Sequence, residues 1–347
     1  MGIHMSDDTL APGKIPSALL AELLGAAKAP GRELLLPPRI GEDACVIDLP
    51  GGALVAATDP ITLTGRAAGA HAVWINANDV AVTGARPRWF LACVLMPEGT
   101  RESDLRSLFD GMNAALELVG ATLVGGHTEV TSVVSQPVVV GQMLGLREDR
   151  HFVATSGMRP GDVVLQVGFA PVEGAAVVAE SGDPRIESVH PELLARARNA
   201  MTDPGISVVD AALRATELGA HALHDPTEGG LSAGLHELAF ASGVGLRVDR
   251  EALLWFEPGI ALCAAVGADP LGTLASGTLL ASLPADRSRA ARADLASQGW
   301  PVAEIAQTEE GEGVRDTAGA PLPRYERDEL SRVFAAPASR PEGGISS

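Results

Sequence analysis

Two short apolar runs, at 44–49 and 53–59, flank Pro50-Gly51-Gly52, so the chain is predicted to begin its folded part with a hairpin. From Gly69 to Gly84 the period changes. Val73, Ala77, Val80 and Ala81 fall at i, i+4, i+7 and i+8, one apolar helical face, with Asn76 and Asp79 together on another. Residues 89–96 form a continuous apolar run of strand length. Leu105, Leu108, Phe109, Met112, Leu116 and Val119 follow at helical spacing, and Gly120 stops that helix. Further strands are predicted at 121–126 and 138–146. The first half reads β-β-α-β-α-β-β, an α+β unit.

The pattern lapses between Gly145 and Asp162, where Met158-Arg-Pro-Gly-Asp162 turns into the apolar strand 163–167. A domain boundary is placed there, giving units at 13–150 and 151–334. Beyond it helices are predicted at 171–181, 190–201, 206–218, 230–242 and 286–298. Strands are predicted at 244–249, 277–283 and 301–307, with a helix or strand near 259–267. The second unit is thus α+β and richer in helix. The tail 335–347 is rich in Pro, Gly and Ser, the composition of a disordered segment.

Polar residues interrupt this pattern at telling places. Asp43, Asp59 and Asp225 sit in turns where a strand or helix begins or ends, and Asp79 lies in a helix otherwise made of Ala and Val. Several hard oxygen ligands gathered by folding would suit Mg²⁺ carrying a polyphosphate. Asn76 has low helix propensity in that position, which implies partners for its side chain. Gly125-Gly126 ends a predicted strand and is followed by His127 and Thr128, a place where backbone N–H groups approach a phosphate or ribose. The amides from Thr227 through Gly229 and Gly230 to Leu231 open a predicted helix and suit an anion.

Composition narrows the classes. A net charge of −18 over 347 residues argues against a nucleic-acid backbone binder, so an anionic nucleotide needs metal ions and amides to offset repulsion. Apolar residues are 46% and aromatics only 3%, which calls for a core of Ala, Val and Leu. Cys45, Cys93 and Cys263 stand singly and read as buried free thiols in a reducing cytoplasm. No apolar stretch reaches the length of a membrane span. A Walker loop, a dinucleotide glycine motif and a Gly-x-Ser-x-Gly elbow are all missing. His221 and His224 lack the companions of a zinc site.

Taken in order, Gly13-Lys-Ile-Pro16, Gly41-Glu-Asp-Ala44, Thr58-Asp-Pro60, Asn76-Ala-Asn-Asp79, Gly125-Gly-His-Thr128, Arg159-Pro-Gly-Asp162, Asp225-Pro-Thr-Glu-Gly-Gly-Leu231 and Ser276-Gly-Thr-Leu279 resemble the PurM-like ATP-binding superfamily. That group holds aminoimidazole ribonucleotide (AIR) synthetase (PurM), selenophosphate synthetase, thiamine-monophosphate kinase and HypE, with HypE nearest. The resemblance implies a two-domain α+β fold and a homodimer paired through its N-terminal sheets, with ATP and Mg²⁺ in a cleft at that interface. It puts the metal on Asp43, Asp59, Asp79 and Asp225 and the nucleotide glycines at Gly125 and Gly126. Lys14 and His127 are the catalytic candidates: Lys14 is expected to close over the phosphates, and His127 stands where thiamine-monophosphate kinase has an acidic residue. The acceptor would be a small molecule or a group on a partner protein. Alternatives are a small-metabolite kinase and a nucleotide-binding regulator without catalysis. HypE proteins end on a cysteine after Pro-Arg-Ile, whereas this sequence ends Gly343-Gly-Ile-Ser-Ser347, so carbamoyl-to-cyanide conversion on its own tail is not expected of the sequence as it stands.

Overall fold

The computed structural model describes residues 17–25, 31–62, 67–325 and 327–334. Lys14 and the tail 335–347 lie outside the described residues.

The predicted hairpin is β2 (Cys45–Leu49) with β3 (Gly52–Ile61), and Leu34–Leu36 adds a short β1 before it. β4 (Arg86–Pro97), β5 (Thr122–Thr131) and β6 (Val138–Arg147) complete a sheet of order β1-β2-β3-β6-β4-β5, antiparallel except for β4 with β5. Along β4 the apolar run splits by face. Phe90, Ala92, Val94 and Met96 are buried, while Leu91, Cys93 and Leu95 are only partly covered. The same alternation, on β2 for Cys45 and on β4 for Cys93, leaves both half-buried rather than buried as expected, whereas Cys263 is buried.

Helices α2 (Ala68–Ala81) and α3 (Glu102–Val119) cross between these strands, and Gly120 in the left-handed region closes α3. The expected apolar stripe on α2 is an underestimate, since every residue of the helix except Ala70 is buried. It lies against β3 and β6 on one side, α3 on another and the second unit on a third. Close approach to the sheet needs glycine. A Cβ at Gly141 would stand 2.4 Å from Asn76 Nδ2.

The second sheet uses β7 (Asp162–Val167), β8 (Ala222–His224), β9 (Gly245–Val248), β10 (Leu279–Pro284), β11 (Val302–Glu309) and β12 (Gly313–Asp316), in the order β12-β9-β11-β7-β10-β8. β7 is buried along its whole length; its Val and Leu residues suit that, and its two polar residues are hydrogen-bonded, Asp162 with Ser282 and Gln166 with the Leu254 backbone. Helices α6 (Val209–Glu217), α7 (Gly230–Ser242) and α9 (Ala285–Ser297) pack on the strands of this sheet, while α4 (Val172–Glu180), α5 (Pro191–Arg198) and α8 (Glu257–Val266) pack on one another. The ambiguous segment near 259–267 is therefore helix, with Pro258 in its first turn where a missing N–H does no harm.

The two sheets share no strand but do share a core. One apolar cluster runs from Val73 and Ile75 of α2 to Val209 and Ala212 of α6 and on to Leu279. Buried polar ties reinforce that junction. Asn78 donates to the Ile206 carbonyl and accepts from the Val208 amide, both at 2.9 Å. Glu42 accepts from the amides of Thr155 and Ser156 at 3.0 and 3.2 Å. Among the described residues, no helix is long and apolar enough to cross a membrane.

Candidate active site

Four carboxylates reach one region from four elements of both units. Asp43 precedes β2, Asp59 lies near the end of β3, Asp79 sits in the last turn of α2, and Asp225 follows β8 directly. Their proximity is written in their electrostatics. Burial first, and then the charges of Asp225, Asp59 and Asp43, push Asp79 well above the ordinary carboxylate range, with His224 pulling the other way. Asp225 is raised in the same manner, by burial and then by Asp43 and Asp59, against His224 and its own backbone amide. Both Asp225 oxygens are buried, and among the described residues neither finds a hydrogen-bond partner on another residue. A carboxylate left so is costly unless it is protonated or meets a cation.

His224 is the cation the chain itself supplies. Its Nδ1 stands 2.8 Å from Asp43 Oδ2 and its Nε2 2.9 Å from Glu237 Oε2. Burial alone would lower its pKa, but the two carboxylates outweigh that and hold it protonated. One imidazolium does not balance the cluster, and the orphaned oxygens of Asp225 fit a hard divalent cation. No group of three His, Cys, Asp or Glu side chains among the described residues forms a ready metal cage. These two facts are compatible for Mg²⁺, which binds through one or two carboxylates and keeps water and phosphate oxygens for the rest of its shell.

Asn76 is explained by its neighbours. Its Oδ1 accepts from the Asp59 amide at 2.8 Å, and its Nδ2 donates to the Ala72 and Asp59 carbonyls at 2.8 and 3.3 Å. The side chain thus fixes the backbone of Asp59 to α2, and both its N–H donors are in use. The turn at Thr227 is also self-satisfied in part. Gly229 and Gly230 adopt left-handed φ of 79° and 66°, and a Cβ at Gly230 would meet the Leu271 and Thr273 carbonyls at 2.6 and 2.7 Å. The Gly229 amide donates to Asp328 Oδ2 at 2.9 Å, and the Gly230 amide donates to the Thr227 carbonyl at 3.1 Å. At this helix start a carboxylate of the chain takes the place expected for a phosphate.

The Gly125-Gly126 segment departs from expectation in a different way. It lies inside β5 rather than at a strand end, because this edge strand runs on through polar residues exposed on both faces. The sheet register sets Asp59 beside Gly141, Gly141 beside Ala92 and Ala92 beside Gly126. Gly126 is therefore three strand spacings from Asp59, about 14 Å. His127 is exposed and 3.2 Å from Glu129, and Thr128 follows it on the same strand. Within one chain these residues do not join the carboxylates.

A cleft of about 410 Å³ opens beside Asp59, between Thr62 and Ile75 on one side and Thr227, Glu228 and Leu274 on the other. His71, Glu173 and Ser276 also line it, with His71 Nε2 2.9 Å from Glu173 Oε1. His224, Glu42, Asn78 and this second polar group were not singled out from the sequence for these roles. The one available signal was an isolated polar residue within an apolar run, as with His224 at the end of β8 and His71 in α2.

Comparison with known proteins follows the same layout. The family model for the AIR synthase related protein, N-terminal domain, matches residues 41–147, and that for the C-terminal domain matches residues 159–318. The chain belongs to the AIR synthase related family. Among its relatives, the carbamoyl dehydratase HypE of Rhodobacter capsulatus is 32% identical over 253 residues, covering 71% of this chain and 72% of that protein. The thiamine-monophosphate kinase of Bacillus subtilis is 26% identical, covering 52% and 54%. The crystal structure of hydrogenase maturation protein HypE in complex with ATP superposes with a TM-score of 0.69 at 25% identity, over 84% of this chain and 90% of that one. Both units of the present fold thus have counterparts across the family.

Proposed function

We propose that this protein is an ATP- and Mg²⁺-dependent enzyme of the HypE type, which activates an acceptor oxygen by phosphorylating it. The observation that carries the reading is the buried, unpartnered carboxylate of Asp225 amid Asp43, Asp59 and Asp79. Those four residues would hold Mg²⁺, which when bound neutralises phosphate charge. Asn76 keeps Asp59 in place, and His224 moderates the repulsion among the carboxylates. The cleft beside Asp59 seats the acceptor, whose oxygen forms the new bond to the γ-phosphorus as the bond to the ADP oxygen breaks, the electron pair leaving with ADP.

The proposal extends to a cytoplasmic homodimer. Leu91, Leu95, Val140 and Leu144 lie on the sheet face away from α2 and are only partly covered, and Val124 and Val130 on the edge strand are more than half exposed. Pairing through this face would cover Leu91, Leu95, Val140 and Leu144 and bring Gly125 to Thr128 of one copy toward the other. Lys14 is assigned to the same nucleotide site on family likeness. A specific similarity favours a second reading, a small-metabolite kinase, since thiamine-monophosphate kinase is a relative and a 410 Å³ cleft suits a small acceptor. The test is calorimetric binding of a non-hydrolysable ATP analogue with and without Mg²⁺, followed by a metabolite screen for stimulated ADP release with mass detection of the product. Absence of Mg²⁺-dependent nucleotide binding would end both readings.

A further inference from the structure

We propose that Glu173, fixed by His71 and Ser276, is the specificity-determining residue of the acceptor cleft and selects an uncharged or cationic group that presents N–H donors, such as an amine, guanidine or amide. This rests on the phosphoryl-transfer reading above and adds which acceptor chemistry that site accepts.

The group is built rather than incidental. Glu173 and His71 are 5% and 3% exposed, yet both line the cleft. Glu173 Oε1 meets His71 Nε2 at 2.9 Å, and Ser276 donates its hydroxyl to Oε2, so both oxygens are held in position. Each keeps lone-pair capacity for a further donor, since a carboxylate accepts about four hydrogen bonds. Burial works against the charge, but His71 and Ser276 prevail and hold Glu173 below the usual carboxylate range. The cleft therefore presents a fixed anion.

Placement ties this anion to the reaction. His71, Ile75 and Asp79 fall at i, i+4 and i+8 and share one face of α2, which runs about 12 Å from the cleft to the carboxylate cluster. Asp59 lines the cleft and belongs to the cluster. An acceptor resting on Glu173 thus has its other end toward the transferred phosphoryl group. Asp59 and Glu228 add negative charge to the walls. A phosphate monoester entering here would face like charges, whereas an N–H donor gains a charge-assisted hydrogen bond.

The test uses the full chain with Mg²⁺ and ATP, and ADP release as readout. Matched panels contain amines, guanidines and amides on one side and phosphate monoesters, thiamine monophosphate among them, on the other. Stimulation confined to the first panel is expected, with KM for its best member rising about 10- to 100-fold in Glu173→Gln, the worth of one hydrogen bond to a charge. Ser276→Ala, a milder change, is expected to raise KM a few-fold, and Glu173→Lys to move the preference toward phosphate monoesters. Circular dichroism verifies that each variant is folded. Stimulation of the wild type by phosphate monoesters, no stimulation by either panel, or an unchanged KM in folded Glu173→Gln would overturn the inference. Binding of the Mg²⁺ complex of the non-hydrolysable ATP analogue by the wild type is measured alongside. Loss of that binding would refute the phosphoryl-transfer reading, whereas its presence with any of the three adverse results refutes the role of Glu173 alone.

Discussion

Replacing Asp225 by Asn should make the metal-free protein more stable and shrink the stabilisation it gains from the Mg²⁺–nucleotide complex. The wild-type carboxyl is 2% exposed, has no hydrogen-bond partner on another residue among the described residues, and lies in the field of Asp43 and Asp59. Replacing a buried acid that must either carry an unpaired charge or be held protonated, while keeping the side-chain shape, is worth about 1–3 kcal/mol. Binding works in the opposite direction and offsets part of that gain. At one hundred times its dissociation constant, a ligand stabilises the wild type by about 2.7 kcal/mol, and a tenfold loss of affinity cuts that to about 1.4 kcal/mol. Urea denaturation with and without Mg²⁺ and the ATP analogue reads both quantities. A variant that is less stable than wild type without metal, yet equally stabilised by the Mg²⁺–nucleotide complex, would refute the reasoning.

Three further outcomes follow from the same geometry. Gly141→Ala forces a methyl group to within 2.4 Å of Asn76 Nδ2, and overpacking there should cost about 1–3 kcal/mol in urea denaturation and weaken Mg²⁺–nucleotide affinity through Asp59. Asn76→Ala removes the three bonds that fix Asp59 and Ala72, and should raise the nucleotide dissociation constant at least tenfold while circular dichroism still shows a folded protein. Asp328, raised by burial from 3.8 to about 7, contributes stability that is fully present below pH 3.8 and is lost as pH rises through about 7. At about 1.4 kcal/mol per decade of proton affinity that loss approaches about 4 kcal/mol, so Asp328→Asn should flatten the stability profile between pH 4 and 7.

Much of this arrangement was legible from residues alone, for reasons that can be named. The Val-Ala period of α2 and the Pro-Gly-Gly turn are local signals, and they mark α2 and the β2–β3 hairpin without tertiary information. The aspartates stood out because short acidic residues are out of place beside apolar runs. What the pattern hid was set by contacts between distant segments. Asn76 called for side-chain partners, but that these are the backbones of Asp59 and Ala72 could not be read from its position. Gly125 and Gly126 looked like a turn because an edge strand exposed on both faces lacks apolar alternation. His224 became informative only once Asp43, 181 positions earlier, and Glu237 were seen on its two nitrogens. The short strands β1, β8 and β12 carry too few residues for any period to register.

The central claim is that Asp43, Asp59, Asp79 and Asp225 gather a divalent cation together with a triphosphate. Anomalous diffraction from crystals grown with Mn²⁺ and a non-hydrolysable ATP analogue tests it directly. Manganese peaks within coordination distance of at least two of these carboxylates, and in contact with phosphate oxygens, are the predicted result. Nucleotide and metal bound elsewhere, with Asp225 still lacking a partner, would contradict it.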